Sequence, residues 1–248
     1  MNDLKDQTAL VTGSSRGIGR AIAVECATAG ADVAINYYSD EDSAATAATR
    51  AREQSAAVTT VQADVSDPAA VEGMFETVES DLGEVDLLVN NAGILSHAEV
   101  AEMETGTWDR TIAVNLSGAF YCARRALRGM IANGGGNIVN VGSDLGRVGA
   151  AELAHYSASK GGLLALTRSL AREVAPDVRV NMVAPGPVRT DMLTEDVSEE
   201  RQSEEAEIPM QRVGTPDEAA SLVVYLASDE AGFVTGQSFD PNGGSAMY

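Results

Sequence analysis

Short apolar runs rich in β-branched residues recur along the chain, at Thr8 to Thr12, Asp32 to Asn36, Val58 to Ala63, Val85 to Asn90, Asn137 to Ser143, Val178 to Ala184 and Gln237 to Asp240. Between them lie longer alanine-rich segments with apolar residues at helical spacing, among them Gly17 to Ala29, Pro68 to Leu82 and His155 to Val174. The first set predicts buried strands and the second amphipathic helices. Their alternation calls for a parallel sheet with helices on both faces, because each parallel connection needs a crossover that covers one side. No repeat or Pro/Ser-rich linker interrupts the pattern, so residues 1–248 read as a single α/β domain. Such folds bind ligands beyond the carboxyl ends of their strands.

Those ends carry polar chemistry. The first strand runs into Thr12-Gly13-Ser14-Ser15-Arg16-Gly17-Ile18-Gly19. Glycines here let the chain turn tightly and bring backbone amides up to a diphosphate at a helix N-terminus, where the dipole favours an anion. The spacing is GxxxGxG, not GxGxxG, and a plain strand-to-helix turn is the alternative reading. Asp64-Val65 ends the third strand and Asn90-Asn91-Ala92-Gly93 the fourth. A carboxylate at Asp64 could accept a hydrogen bond from an adenine amino group, with Asn91 and Gly93 flooring a ribose. Taken singly, each is also a common turn residue.

A second group sits further along. Tyr156 and Lys160 are four residues apart, which stacks them on one helix face. A phenol is a poor base at neutral pH, and an adjacent ammonium favours its ionised form. Ser143 ends the fifth strand, where its hydroxyl could steady a developing alkoxide without acting as a nucleophile. A nucleophilic-serine reading has neither a GxSxG sequence nor a supported histidine.

Composition narrows the partners. The chain carries 37 acids against 17 bases, a net charge of −20, which argues against binding nucleic acid or an anionic membrane. Apolar runs are strand-sized, and nothing reads as a signal peptide or membrane span, so a cytoplasmic protein is expected. Cys26 and Cys122 are expected as buried free thiols, and two histidines, His97 and His155, are too few for a zinc site, so no metal is expected. Only Lys5 and Lys160 are lysines, against fifteen arginines. This acidic, lysine-poor composition is similar to that of haloarchaeal proteins, whose dense carboxylates keep the surface hydrated in salt. A GC-rich genome coding Arg for Lys is the alternative.

Taken together, TGSSRGIG, NNAG, Asn115, Ser143 and Tyr156-Ser157-Ala158-Ser159-Lys160 resemble the short-chain dehydrogenase/reductase family across essentially the whole chain. The resemblance implies a doubly wound Rossmann fold with seven parallel strands, a nicotinamide cofactor and commonly a homotetramer. It implies catalysis by Asn115, Ser143, Tyr156 and Lys160: Tyr156 exchanges a proton with a carbonyl or alcohol oxygen, Lys160 holds the nicotinamide ribose, and Asn115 at a kink of a long fourth helix holds a relay water. The implied cofactor contacts are Gly13, Ser15, Arg16, Gly17, Ile18, Gly19, Asn36, Tyr37, Asp64, Val65, Asn91, Ala92, Gly93, Tyr156, Lys160, Pro185, Gly186, Val188 and Thr190. Val188 and Thr190 take the positions that hold the carboxamide.

Asn36 stands where an acidic residue normally binds the adenosine ribose of NAD, and Arg16 is placed as in members that favour NADP. This favours NADP(H), with NAD(H) as the alternative, although Asp40, Glu41 and Asp42 would repel a 2′-phosphate if they turned inward. Residues 190–213 resemble the family's substrate lid, with Met192, Leu193 and Met210 as candidate pocket residues. His155, Leu145, Gly146, Ile94, Leu95, Ser96 and His97 should border the substrate, His155 more as a solvated or packing residue than as a ligand. The branch resembled holds 3-oxoacyl thioester reductases and sugar dehydrogenases. Leu95-Ser96-His97 departs from the Thr-Arg-Asp of many of those reductases, leaving a small-molecule sugar, polyol or other hydroxy compound open. A nucleotide sensor without turnover is the rival from another class, and the intact proton-donor set disfavours it.

Overall fold

A computed structural model describes residues 3–54, 56–190 and 208–248. Seven strands form one all-parallel sheet in the order β3-β2-β1-β4-β5-β6-β7. They are β1 (Thr8–Val11), β2 (Asp32–Tyr37), β3 (Val58–Gln62), β4 (Leu87–Asn90), β5 (Gly136–Val141), β6 (Val178–Val183) and β7 (Ser238–Phe239). The order reverses between β1 and β4, which opens a crevice at the carboxyl edge of the sheet. This is the doubly wound Rossmann architecture expected from the alternating pattern.

Successive strand residues point to opposite faces, and the core divides accordingly. Ala9, Val11, Val33, Ile35, Leu87 and Val89 pack with helices α1 (Gly17–Thr28), α2 (Glu41–Arg52) and, across the sheet's first face, α8 (Pro216–Ala227). Leu10, Ala34, Leu88, Ile138 and Val180 face the other way, onto α3 (Pro68–Leu82), α5 (Gly118–Ala132) and α7 (Ala154–Val174). Cys26 and Cys122 lie one in each layer as free, buried thiols. No helix among the described residues is long and apolar enough to cross a membrane.

The expected long fourth helix is interrupted. It is α4 (Thr105–Ile112), a π-helical turn at Ala113–Ser117, and then α5. One extra residue per turn re-aims the side chains at that point, and Asn115 lies inside it. A short helix, α6 (Leu145–Val148), follows β5.

Candidate active site

The glycine loop folds against the end of β4 through one hydroxyl and one amide. Thr12 Oγ1 accepts from the N–H of Asn91 and of Ala92 at 3.0 and 3.1 Å. Asn91 Nδ2 returns two 2.9 Å bonds to the carbonyls of Thr12 and Gly13. No larger residue fits this clamp, since a Cβ on Gly19 would lie 2.5 Å from the Gly13 oxygen. Gly17 opens α1 at φ +56°, a left-handed conformation that favours glycine.

Helices α2 and α3 close their N-termini with the aspartates Asp40 and Asp67, and α8 with a Thr215–Glu218 capping box. Helix α1 begins after Arg16 with no side-chain cap and no acid in its first turn. Its free amides, behind a loop whose glycines leave no room for side chains, fit the diphosphate of a dinucleotide. Ser15 is buried in that loop, and Gly17 faces Thr190 at 3.5 Å from where a Cβ would stand.

Asn36 requires a correction. Its Oδ1 accepts from Gly13 N–H at 3.1 Å, and its Nδ2 donates to the carbonyls of Val61 and Ala63 at 3.3 and 3.2 Å. The side chain is 1% exposed, so it supports the glycine loop from below and cannot reach a ribose. Tyr37, still within β2, is likewise packed in the core, and Tyr38 is the first exposed side chain beyond the strand. Asp40 turns to cap α2, accepting from Ser43 N–H at 3.0 Å. Its bonds to Ser43, with a smaller contribution from the nearby Arg16 charge, hold its carboxyl below the usual range.

At the far end of the crevice, Asp64 accepts from Ser66 N–H and Oγ at 2.9 and 2.7 Å and pairs with Arg110 at 3.0 Å. Burial alone would raise this carboxyl, but the Ser66 and Arg110 bonds outweigh it and keep it ionised. The Arg110 guanidinium also lies 5.6 Å from the Tyr38 ring centre. Sequence reasoning missed Arg110, which α4 presents to Asp64 from a distant part of the chain. Val65 is buried against Gly118, where an added Cβ would lie 2.8 Å from its side chain.

Tyr156, Lys160, Ser143 and Asn115 converge at the mouth of the crevice. Lys160 Nζ donates to the Val141 carbonyl at 2.8 Å and lies 5.7 Å from the centre of the Tyr156 ring. Burial pushes the ammonium down to about 8. Burial also pushes the Tyr156 phenol up to about 12; a Ser143 hydrogen bond opposes the rise and the Asp144 carboxylate adds to it. Helix α6 reaches α7 closely enough to bring Ser143 there because Gly146 sits against backbone, a Cβ on it lying 2.8 Å from the Lys160 carbonyl carbon.

Asn115 exchanges two bonds with Ile94, accepting from its N–H at 2.8 Å and donating to its carbonyl at 2.9 Å, and donates to Ser159 Oγ at 3.2 Å. The Gly93 backbone runs beside both side chains, a Cβ built on it standing in ordinary contact at 3.5 Å from Asn115 Oδ1 and 3.7 Å from Lys160 Nζ.

Beyond β6, Val188 forms a parallel bridge with Gly214 that uses the N–H of Arg189 and the carbonyl of Pro187. Val188's own N–H and carbonyl therefore face the opposite edge, where a carboxamide could be held. Gly186 packs against Asn242, and Pro185 accepts from Asp144 N–H at 3.2 Å. Of the expected lid, residues 191–207, including Met192 and Leu193, lie outside the described residues; Met210 is exposed. His155 is neither solvated nor open to a substrate. It is fully buried, with Nε2 3.1 Å from Ser96 Oγ and with no partner at Nδ1.

The family model described as enoyl-(acyl carrier protein) reductase matches residues 13–246. The 3-oxoacyl-(acyl-carrier-protein) reductase FabG of Staphylococcus aureus is 40% identical over 97% of this chain and 98% of its own. Its Escherichia coli counterpart is 39% identical over 99% of both. The crystal structure of a short-chain dehydrogenase/reductase from Brucella melitensis, described as a glucose/ribitol dehydrogenase, superposes with a TM-score of 0.92 at 35% identity over 99% of each chain.

Proposed function

The chain belongs to the short-chain dehydrogenase/reductase family, and from that premise we propose that it reduces a 3-oxoacyl thioester or a related ketone to the secondary alcohol with NADP(H). The convergence of Tyr156, Lys160 and Ser143 carries this reading. When bound, the nicotinamide supplies the hydride that passes to or from the substrate carbon. Tyr156 gives its phenolic proton to the carbonyl oxygen during reduction and takes it back during oxidation. Ser143 donates a hydrogen bond to that oxygen as negative charge builds on it. Lys160 would hold the ribose hydroxyls of a bound nicotinamide nucleotide, and its charge steadies the phenolate.

Three observations support NADP(H) over NAD(H). The end of β2 offers no carboxylate to a ribose, Asp40 is turned into its own helix cap, and exposed Arg16 stands at the uncapped start of α1. Glycines 13, 17 and 19 with Ser15 and Ile18 would hold the diphosphate. Asp64, Val65, Asn91, Ala92 and Gly93 would hold the adenosine, and Pro185, Gly186, Val188 and Thr190 the nicotinamide. Residues 1–248 act as one unit in this reading, with 190–213 as the lid.

A second substrate class, sugars or polyols, is favoured by Ser96, which stands at the arginine of the reductases' Thr-Arg-Asp segment and whose hydroxyl is bonded to His155. A panel of 3-oxoacyl thioesters, sugars and polyols, followed at the nicotinamide absorbance band, separates the two. Turnover confined to sugars or polyols would replace the thioester reading.

We further assign a cytoplasmic homotetramer. Its support is the exposure of Trp108 and Phe120 on the α4–α5 face and of Phe233 before β7, apolar side chains that a second copy would cover. Light scattering at working salt should give four times the chain mass, and a monomer's mass would reject the assignment.

A further inference from the structure

Asp144 follows Ser143 directly and is buried, at 6% exposure. Its Oδ1 lies 3.4 Å from Ser143 Oγ and its Oδ2 accepts from Ser245 Oγ at 2.9 Å. The Asp144 carbonyl accepts from the Tyr248 hydroxyl at 3.3 Å. Behind it, Arg147 pairs with Asp240 at 3.4 Å and lies 4.5 Å from the Tyr248 ring centre. Hydroxyls and a backbone amide, not a cation, thus hold this carboxylate among the described residues.

We propose that Asp144 is a positioning residue for the reaction, fixing with one oxygen the direction in which Ser143 offers its proton and tethering with the other the segment 242–248. The inference rests on the oxidoreductase reading above. A serine hydroxyl has one proton and two lone pairs. At Ser143 one lone pair is taken by Leu145 N–H, at 3.2 Å. The proton can go to Asp144 or to an oxygen on the Tyr156 side, but not to both. At rest the proton lies on Asp144 and Ser143 presents its remaining lone pair to Tyr156, which then rests as a donor; when a substrate oxygen gains negative charge, the Ser143 hydroxyl turns its proton from Asp144 to that oxygen.

Charge acts in the same direction. The ionisable groups around Tyr156 are Lys160 on its own helix and Asp144 beyond β5, with Asp240, Arg147 and Tyr248 standing behind Asp144. His155 precedes Tyr156 but turns to Ser96. The Asp144 charge favours the protonated phenol and opposes Lys160, so it keeps Tyr156 a proton donor to higher pH. The tether matters because Ser245 Oγ also lies 3.0 Å from where a Cβ on Gly186 would stand, which joins Ser143 to the Pro185-Gly186 turn.

The test compares Asp144→Asn, which keeps the shape and removes the charge, with Ser245→Ala, which keeps the charge and cuts the tether. In Asp144→Asn the pH at which alcohol oxidation rises should move down by about one unit, with cofactor affinity unchanged. In Ser245→Ala the profile should stay in place while hydrogen exchange in residues 242–248 speeds up and kcat falls several-fold. A folded Asp144→Asn enzyme with an unmoved profile would overturn the proposal. If that variant does not fold, Ser245→Ala decides, and unchanged exchange with unchanged kcat overturns it. Should the wild-type protein turn over no carbonyl or alcohol, the oxidoreductase reading fails separately. The coupling would then be read from tyrosinate absorbance, as the difference from Tyr156→Phe, and Asp144→Asn should lower its midpoint.

Discussion

Asn36 Oδ1 and the amide of Gly13 are joined by a 3.1 Å hydrogen bond, so the end of β2 carries the glycine loop instead of reading a ribose. The Asn36 amide nitrogen meanwhile donates to two carbonyls of the β3 edge, and every polar atom of the side chain is spent. Asn36→Asp is therefore not a cofactor switch. A carboxylate cannot donate to Val61 and Ala63, and losing those two hydrogen bonds costs about 0.5–1.5 kcal/mol each. The variant should lose roughly that much stability in urea titration and weaken both NADP and NAD. A stable variant that gained NAD affinity would show that the amide does face the cofactor.

In the NADP(H) reading proposed above, Arg16 would clamp the 2′-phosphate. Arg16→Ala should weaken NADP by roughly 10- to 100-fold, the worth of a charge-assisted hydrogen bond, while NAD changes little. Binding measured by nucleotide fluorescence for both cofactors checks this, and equal losses would mean that the guanidinium does not contact the 2′-phosphate.

Alkaline pH should destabilise the fold through its thiols. Burial pushes both Cys26 and Cys122 up to about 12 from an ordinary value near 9. Their neutral forms are thus favoured in the folded state. That stability is fully present below pH 9 and is lost as pH rises from there towards 12, because the unfolded chain releases the protons first. Melting temperature should fall above pH 9, and the Cys26→Ala, Cys122→Ala double variant should flatten the decline. An equally steep decline in the double variant would place the cause elsewhere.

The net charge of −20 should make stability depend on salt. Repulsion among surface carboxylates is screened as the Debye length shrinks from about 10 Å at 0.1 M to about 3 Å at 1 M. Melting temperature should rise toward molar KCl. A flat or falling curve would favour the coding-bias explanation of the arginine excess.

Much of this was legible in the sequence, for physical reasons. The strand runs appear as unbroken apolar stretches because both faces of the sheet are covered, and Tyr156 with Lys160 shares a helix face by spacing alone. The two-layer core follows from strand alternation. Other features depend on which long-range partner an ambiguous polar residue finds. Asn36 was expected at a strand end, but β2 continues to Tyr37 and the amide is captured by backbone on both sides. Arg110 and Asp64 are 46 residues apart, and nothing local announces their pairing. The π-turn around Asn115 leaves no mark in hydrophobic spacing. Asp144 did carry a signal, a carboxylate beside the strand-end serine, but its partners Ser245 and Tyr248 come from the other end of the chain.

In the proposed reaction the Tyr156 phenol, beside Lys160 and Ser143, moves the proton. This role is tested most directly by the turnover of Tyr156→Phe with NADPH and a 3-oxoacyl thioester. Turnover should fall on the order of a thousandfold, the contribution of a positioned general acid, while cofactor affinity stays at the wild-type level. Undiminished turnover in a folded, cofactor-binding variant would contradict the account.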